Sequence, residues 1–289
     1  MKPATKINAA AELPALPAEG AGLPVHSLTT FQLWGDQLPI GILEGGELHR
    51  SFAFGVYNLG SERELAIRRK KAHAPAESVV EVLAFMLISL GPYSDFQALD
   101  ENSRKLIIQR MWMHDVLYVY FSLRRDALGD ELSVGCTCPT CGAKWKFTGD
   151  LSQGDVKVVE DPKDITWPHV LKHGLIGKDG KPIRDIVLQP PRWECMMGIS
   201  RKTGRIDPVH AKVRIIASSI RHLGDGSHAL TEAAINSMSK WDVEHITKTL
   251  DDNVPGPDMT LEPECPECQA ELRIPINWDW DFFFGAASL

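Results

Sequence analysis

Four cysteines fall in two Cys-Pro-x-Cys turns, Cys138-Pro139-Thr140-Cys141 and Cys265-Pro266-Glu267-Cys268, set 127 residues apart. A CxxC turn aims two thiolates at one point, and a tetrahedral Zn2+ takes two such turns. Proline after the first cysteine and Gly142 after the second fit a tight turn whose backbone N–H groups can face thiolate sulfur. The spacing predicts one Zn2+ per chain, held by Cys138, Cys141, Cys265 and Cys268. A disulfide or a reduced structural quartet meets the same spacing and stays open on this ground alone. Four protein ligands leave no position for water, so the predicted role of the metal is structural and not catalytic.

Other candidate chemistry is thinner. Cys136 has Pro263 as its counterpart before the second turn and is placed outside the site. Cys195 lies on an apolar-leaning stretch read as helix, where a free cysteine acts as a small core hydrophobe. His169 and His173 have the spacing of a helical metal pair, but Gly174 follows and no glutamate completes an HExxH pattern. Residues 174–178 lack the Walker spacing, and there is no Gly-x-Ser-x-Gly and no His-x-Glu before a CxxC. No enzyme activity is expected.

The elements that must position the cysteines come as a repeated series. Asp115-Val116 precedes Cys138 by 23 residues, and Asp242-Val243 precedes Cys265 by 23. Leu123 and Leu250 each lie 15 residues before the same cysteines. Ile88-Ser89-Leu90-Gly91 loosely matches residues 220–224. The fold class expected is α+β: two duplicated units of β-hairpin plus helices, each ending in half of a four-cysteine zinc ribbon. In the first unit, residues 30–57 read as a hairpin around Gly45-Gly46. Ser61 is read as the cap of a helix from Glu62, with Glu64 completing a capping box. Residues 76–90 read as a helix ending at Gly91-Pro92, and 95–126 as another helical stretch. Trp112, Tyr118 and Tyr120 in that stretch read as core. In the second unit, residues 173–177 and 182–188 flank an Asp179-Gly180 turn. Helices are expected from Pro190-Pro191, over 208–223 and within 229–253.

These readings divide the chain into an extended or disordered arm (1–25), a first repeat (26–160) and a second repeat (161–289), with the joint at Asp161-Pro162-Lys163-Asp164. The arm is Ala/Pro-rich and cannot bury enough apolar surface to order itself, although Leu13, Leu16 and Leu23 could anchor it on a neighbour. Arg63, Arg68, Arg69, Lys70 and Lys71 read as a solvated face, with docking of an acidic partner as the second reading. The aromatic stretch 278–284 is expected to pack on the core or on a partner. A formal charge of −7 argues against nucleic acid or anionic lipid as the main partner. Glu262, Glu264, Glu267 and Glu271 surround the second cysteine turn and weaken the alternative of a zinc-ribbon nucleic-acid regulator. The longest apolar run, 79–90, carries Glu81 and is too short for a bilayer. The first residues show no signal-peptide pattern, and few cysteines, mostly in CxxC pairs, suit a reducing compartment.

The order of these features is similar to a known family. A hairpin, a helix entered at Ser61 to Glu64, a Leu-rich helix and a long helix into Phe121-Ser122-Leu123-Arg124 precede Cys138-Pro139-Thr140-Cys141-Gly142. An aromatic strand, Asp150-Leu151, a second Cys-Pro-x-Cys and Asp281-Phe282-Phe283 follow. Over roughly residues 50–289 the chain resembles the baseplate hub assembly chaperones and baseplate proteins of T-even-type contractile-tailed phages. The hairpin and arm are longer than that family's pattern. The resemblance implies a part in building a tail baseplate and no enzyme activity. It also implies tail, hub or tape-measure proteins as partners, and a location in the host cytoplasm during assembly or in the virion tail.

Overall fold

The computed structural model describes residues 35–70, 72, 74–161, 165–177, 180–199, 208–224, 226, 230 and 232–276. The arm 1–25, Phe31 to Trp34, Lys71, the joint residues 162–164, Asp179 and the aromatic stretch 278–284 lie outside them. The fold is mixed α+β, with seven α-helices and several small antiparallel sheets among the described residues.

Two three-stranded sheets dominate. In the first, β1 (Gln37–Glu44) turns at Gly45-Gly46 into β2 (Glu47–Phe54), which also pairs with β3 (Leu87–Leu90). Between β2 and β3 come α1 (Leu59–Arg69) and α2 (Pro75–Met86). In the second, β7 (Trp167–Ile176) and β8 (Pro182–Leu188) form the hairpin, and α5 (Pro208–Ser219) leads directly into β9 (Ile220–Leu223). Both expected helices therefore end four residues early. The apolar run 79–90 does not by its period distinguish helix from buried strand. Pairing of Phe52 with Leu90, and of Ile186 with Leu223, takes the last four residues of each run into a sheet.

The two sheets match in detail. Gly91 N–H donates to Ser51 O and Gly224 N–H to Asp185 O, both at 2.7 Å. Each first strand carries a register shift, between Gln37 and Ile42 and between Val170 and Leu175. At each shift sits a left-handed glycine, Gly41 (φ +99°) and Gly174 (φ +80°). A Cβ on Gly41 would meet His49 O at 2.9 Å, and one on Gly174 would meet Ile183 O at 2.8 Å, so only glycine fits without a shift of backbone.

After each sheet come two helices: α3 (Glu101–Arg110) and α4 (Met113–Leu128), then α6 (Glu232–Asn236) and α7 (Lys240–Asn253). The expected single stretch 95–126 is broken at Met111 and Trp112, because that segment is held extended against the second half. Met113 N–H donates to Pro191 O and Trp193 N–H to Met111 O. The same contact corrects the expected helix from Pro190: only a 3-10 turn, Trp193–Met196, forms there. Trp193 is fully buried in the first half's core, and its indole N–H donates to Ala76 O at 3.2 Å. The halves thus share a core. They meet again where β6 (Val156–Lys157) pairs with β10 (Gly256–Pro257).

Two surface expectations also change. Asn58, not Ser61, caps α1, accepting from Gly60 and Ser61 N–H, and the Ser61 hydroxyl turns back to Val56 O. Glu64 then pairs with Arg68. Arg68 is not solvated: its side chain is 15% exposed, ion-paired to Glu64, Glu81 and Glu101, and placed over the Phe85 ring. Arg63 and Lys70 are exposed. Trp112, Tyr118 and Tyr120 are buried as expected.

Candidate metal centre

Each cysteine turn is built by the same short chain path. In the first, β4 (Glu131–Thr137) runs into the turn and β5 (Lys144–Asp150) leaves it, fully paired. Cys138 N–H donates to Ala143 O and Gly142 N–H to Cys138 O, both at 2.9 Å. In the second, β11 (Thr260–Leu261) and β12 (Ile274–Pro275) flank the turn, with a bridge between Glu264 and Glu271. There Cys265 N–H donates to Ala270 O and Gln269 N–H to Cys265 O, again at 2.9 Å. Gly142 (φ +77°) and Gln269 (φ +58°) hold the same left-handed place, and Gln269 is the one non-glycine in that region among the described residues. A turn that reverses the chain within four residues demands this backbone, which explains a glycine in one turn and a strained glutamine in the other.

The two turns face each other. The Cys138 and Cys268 sulfurs lie 3.6 Å apart, as do those of Cys141 and Cys265, and all four sulfurs fall within 4.8 Å of one another. All are free thiols. Zinc–sulfur bonds of about 2.3 Å in a tetrahedron put sulfurs about 3.8 Å apart. The four-sulfur set therefore fits a tetrahedral thiophilic cation. Cys138 and Cys265 are buried, each opposite an exposed cysteine of the other turn, and Leu272, Ala143, Trp145, Ala270 and Ile274 pack around them.

Electrostatics point the same way. The Cys141 N–H, aimed at the Cys138 sulfur, leads the groups that bring that thiol down to about 6, and the Thr140 N–H adds to it at 3.4 Å. At Cys268 the Ala270 N–H pulls downward, but hydrogen bonds with the other three thiols and burial outweigh it and push the group up to about 12. Without a cation the cluster favours one thiolate fed by thiol donors; four adjacent thiolates need a positive charge among them.

The remaining candidates are separated from this cluster. Cys136 lies on β4 opposite Trp145, with its thiol towards Val134 O. Cys195 is buried in the 3-10 turn, where burial lifts it to about 12 and keeps it a neutral core thiol. His169 and His173 lie on β7, not on a helix; His169 Nδ1 is 3.3 Å from Thr249 Oγ1, and the His173 backbone N–H donates to Asp242.

Two residues used above only as spacing marks have a definite job. Asp115 and Asp242 each lie in the first turn of the helix that leads to a cysteine turn, and both are shielded from solvent. Asp115 accepts the N–H groups of Ile40 and Gly41, both at 2.9 Å; Asp242 accepts those of Lys172 and His173, at 2.7 and 3.1 Å. Each carboxylate thus ties α4 or α7 to the irregular stretch of its own first strand, where the ladder leaves backbone donors unpaired. The sequence signal was the acid in a helix's first turn, equally spaced from both cysteine turns; its partner strand was not legible. No helix among the described residues is long and apolar enough to cross a membrane.

Neither a curated protein nor a solved structure matches the chain. A family model described as T4 bacteriophage base plate protein matches residues 61–283, which take in both sets of helices and both cysteine turns. That match spans well over half of the chain, and the protein therefore belongs to the T4 bacteriophage base plate protein family.

Proposed function

We propose that this protein is a non-enzymatic part of a contractile-tail baseplate, acting at the hub as an assembly factor or a structural component. It binds other tail proteins, such as hub or tape-measure proteins, in the host cytoplasm during assembly or in the finished tail. Its body is two copies of one unit, stapled by a Zn2+ on Cys138, Cys141, Cys265 and Cys268. The observation that carries this reading is the meeting of two sulfurs from each half within 4.8 Å. A site with four protein ligands supplies cross-linking and no activated water. The duplication is supported by two sheets of one strand order, the matched bulge glycines, the paired carboxylates and the two turns of one backbone form.

Metal analysis of the purified chain, with co-expression beside tail-hub and tape-measure proteins, tests the reading. One zinc per chain and a stable complex with a tail protein are expected. No bound metal removes the staple, and salt-sensitive binding to DNA with no affinity for tail proteins removes the baseplate role.

A further inference from the structure

The bulge of the first sheet is covered by the chain itself. After β6 an extended segment crosses it: Val159 N–H donates to Pro39 O at 2.9 Å, and the Val159 side chain is buried against Ile40 and Trp112. Glu160 comes next, and its charge acts on Arg50. Burial lowers the Arg50 guanidinium, while the Asp115 and Glu160 carboxylates oppose that and favour its charged form. The cover thus consists of one backbone N–H, one aliphatic side chain and the carboxylate that follows it.

The bulge of the second sheet has the same backbone and lies bare. The ladders match Pro39 with Lys172, Ile40 with His173 and Arg50 with Arg184. The arginines also match in packing: a Cβ on Gly41 would meet Arg50 Cγ at 2.9 Å, and one on Gly174 would meet Arg184 Cγ at 3.1 Å. Yet Lys172, His173 and Arg184 are all exposed, and among the described residues Arg184 has no ion-pair partner. Lys172 falls in the gap between the pairs Val170–Asp185 and Leu175–Ile183, as Pro39 falls between Gln37–Ser51 and Ile42–His49. In both bulges the carboxylate of the following helix has taken the free N–H groups, so a further segment meets a carbonyl there and not a donor.

An aromatic wall stands beside this bulge. Trp241 is 39% exposed and stacks on His245 with ring centroids 3.4 Å apart; Lys172 Nζ lies 5.1 Å from the Trp241 centroid. Of the exposed acids on these elements, Glu244 is paired with Lys240, which leaves Asp185 against Lys172, His173 and Arg184. In a chain of net charge −7 the place is locally basic. The chain's own sequence does not offer a second cover of the same kind. The step of 127 residues that aligns the ladders about the two cysteine turns sets Ala286-Ala287-Ser288 on Val159-Glu160-Asp161, with no carboxylate among them.

We propose that the bulge of β7 is the docking site for an extended segment of a separate tail protein, one that presents an aliphatic side chain followed at once by carboxylates. That segment repeats on the second half what Val159-Glu160-Asp161 does on the first. A backbone N–H donates to Lys172 O, the aliphatic side chain lies against Trp241, and the carboxylates meet Arg184 and Lys172. The occupant is acidic because the side chains left without partners are basic, and a wrong-signed segment is rejected for the same reason. It is short and extended because the free N–H groups are already taken by Asp242, which leaves no run of donors for a full added strand. The proposal rests on the baseplate role proposed above and names the surface that serves it.

Co-expression of the full chain with hub and tape-measure proteins tests it, with the wild type beside a Lys172→Glu, Arg184→Glu double variant. Arg63→Glu with Lys70→Glu, two exposed basic residues of the first half, is the control for charge alone. The double variant is expected to weaken the tail complex at least about tenfold with its melting unchanged, and the control to leave the affinity as it was. A photo-crosslinking benzoylphenylalanine in place of Val170, which is 66% exposed on the same strand, is expected to link to an acid-bearing segment of the tail protein. A complex indifferent to the double variant, or weakened equally by the control, overturns this site and leaves the baseplate role standing. Crosslinks into a second copy, or into residues 1–25 of the same chain, overturn the separate occupant. Failure of every tail protein to bind overturns the baseplate role and the site with it.

Discussion

The two β-bulges use one backbone device with different side chains. In the first half Pro39, Ile40 and Gly41 are all buried, and Ile40 packs with Trp112 and Val159. In the second half Lys172 and His173 are exposed. The register shifts and glycines align Pro39 with Lys172 and Ile40 with His173. Proline has no N–H to give, so Asp115 reaches one residue further, to Ile40 and Gly41, whereas Asp242 takes Lys172 and His173. The carboxylate and the glycine are what the device requires; the flanking side chains follow whatever covers the strand. The largest effect expected from breaking the likeness of the halves lies where they meet. Cys268→Ser, or chelation of the proposed zinc, should unfold both halves together, since a structural zinc carries about 10–16 kcal/mol of apparent binding free energy and a domain nets about 5–15. Calorimetry should show the transition collapse, and Cys195→Ser should not reproduce it. Two separate transitions, only one of them metal-dependent, would confine the staple to one half.

The carboxylates give the next contrast, and it is one of sign. Burial dominates at Asp115 and raises it from 3.8 to about 6, against the pull of the Ile40 and Gly41 N–H groups. A folded-state value above the unfolded one contributes stability that is full below about 3.8 and lost as the pH rises to about 6, worth about 3 kcal/mol. At Asp242 burial also opposes ionisation, but the Ser239 hydroxyl and the Lys172 and His173 N–H groups outweigh it and lower the group. Its contribution is therefore full at neutral pH and lost as the pH falls below 3.8. Asp115→Asn should cost progressively less between pH 4 and pH 7, and Asp242→Asn progressively less on acidification. Denaturant titrations from pH 7 to below 3.8 check both slopes; parallel slopes would mean that the two carboxylates share one environment.

Gly41→Ala and Gly174→Ala sharpen the likeness instead. Each places a Cβ against a carbonyl in left-handed backbone, a cost of about 1–3 kcal/mol. The two losses should agree closely in urea unfolding. A free substitution at either position would show that its bulge is not held.

Much of this was legible in the chain. Gly45-Gly46 between alternating runs announced the first hairpin, and two Cys-Pro-x-Cys turns with equal upstream spacing announced the cluster of sulfurs. Other features depended on partners distant in sequence. Leu87 to Leu90 and Ile220 to Leu223 continue helical runs in apolar content and become strands only because Phe52 and Ile186 stand ready to pair. The halves also differ in length: α3 has 10 residues and α6 has 5, so the register changes between the sheets and the cysteine turns. A single repeat length therefore hides the likeness of the hairpins. Pro190-Pro191 looked like a helix start, but Trp193 is drawn into the other half's core, and that contact decides the backbone.

The smallest expected effect concerns how each helix begins. Ser239 caps α7 by accepting the Asp242 N–H at 3.1 Å, and its hydroxyl donates to Asp242 Oδ2 at 2.9 Å. Trp112, at the same place before α4, offers no side-chain cap and instead lies under the Arg192 guanidinium at 3.3 Å. One half starts its helix by local hydrogen bonding and the other by packing across the seam. Ser239→Ala should cost about 1 kcal/mol as a lost cap. It should also raise the Asp242 carboxyl, because the hydroxyl is the foremost of the groups that lower it. The contribution that Asp242 loses below 3.8 would then be smaller, so the cost of Ser239→Ala would fall on acidification. An equal loss at every pH would show that Ser239 caps the helix without holding the carboxylate, and that α7 meets β7 through backbone contacts alone.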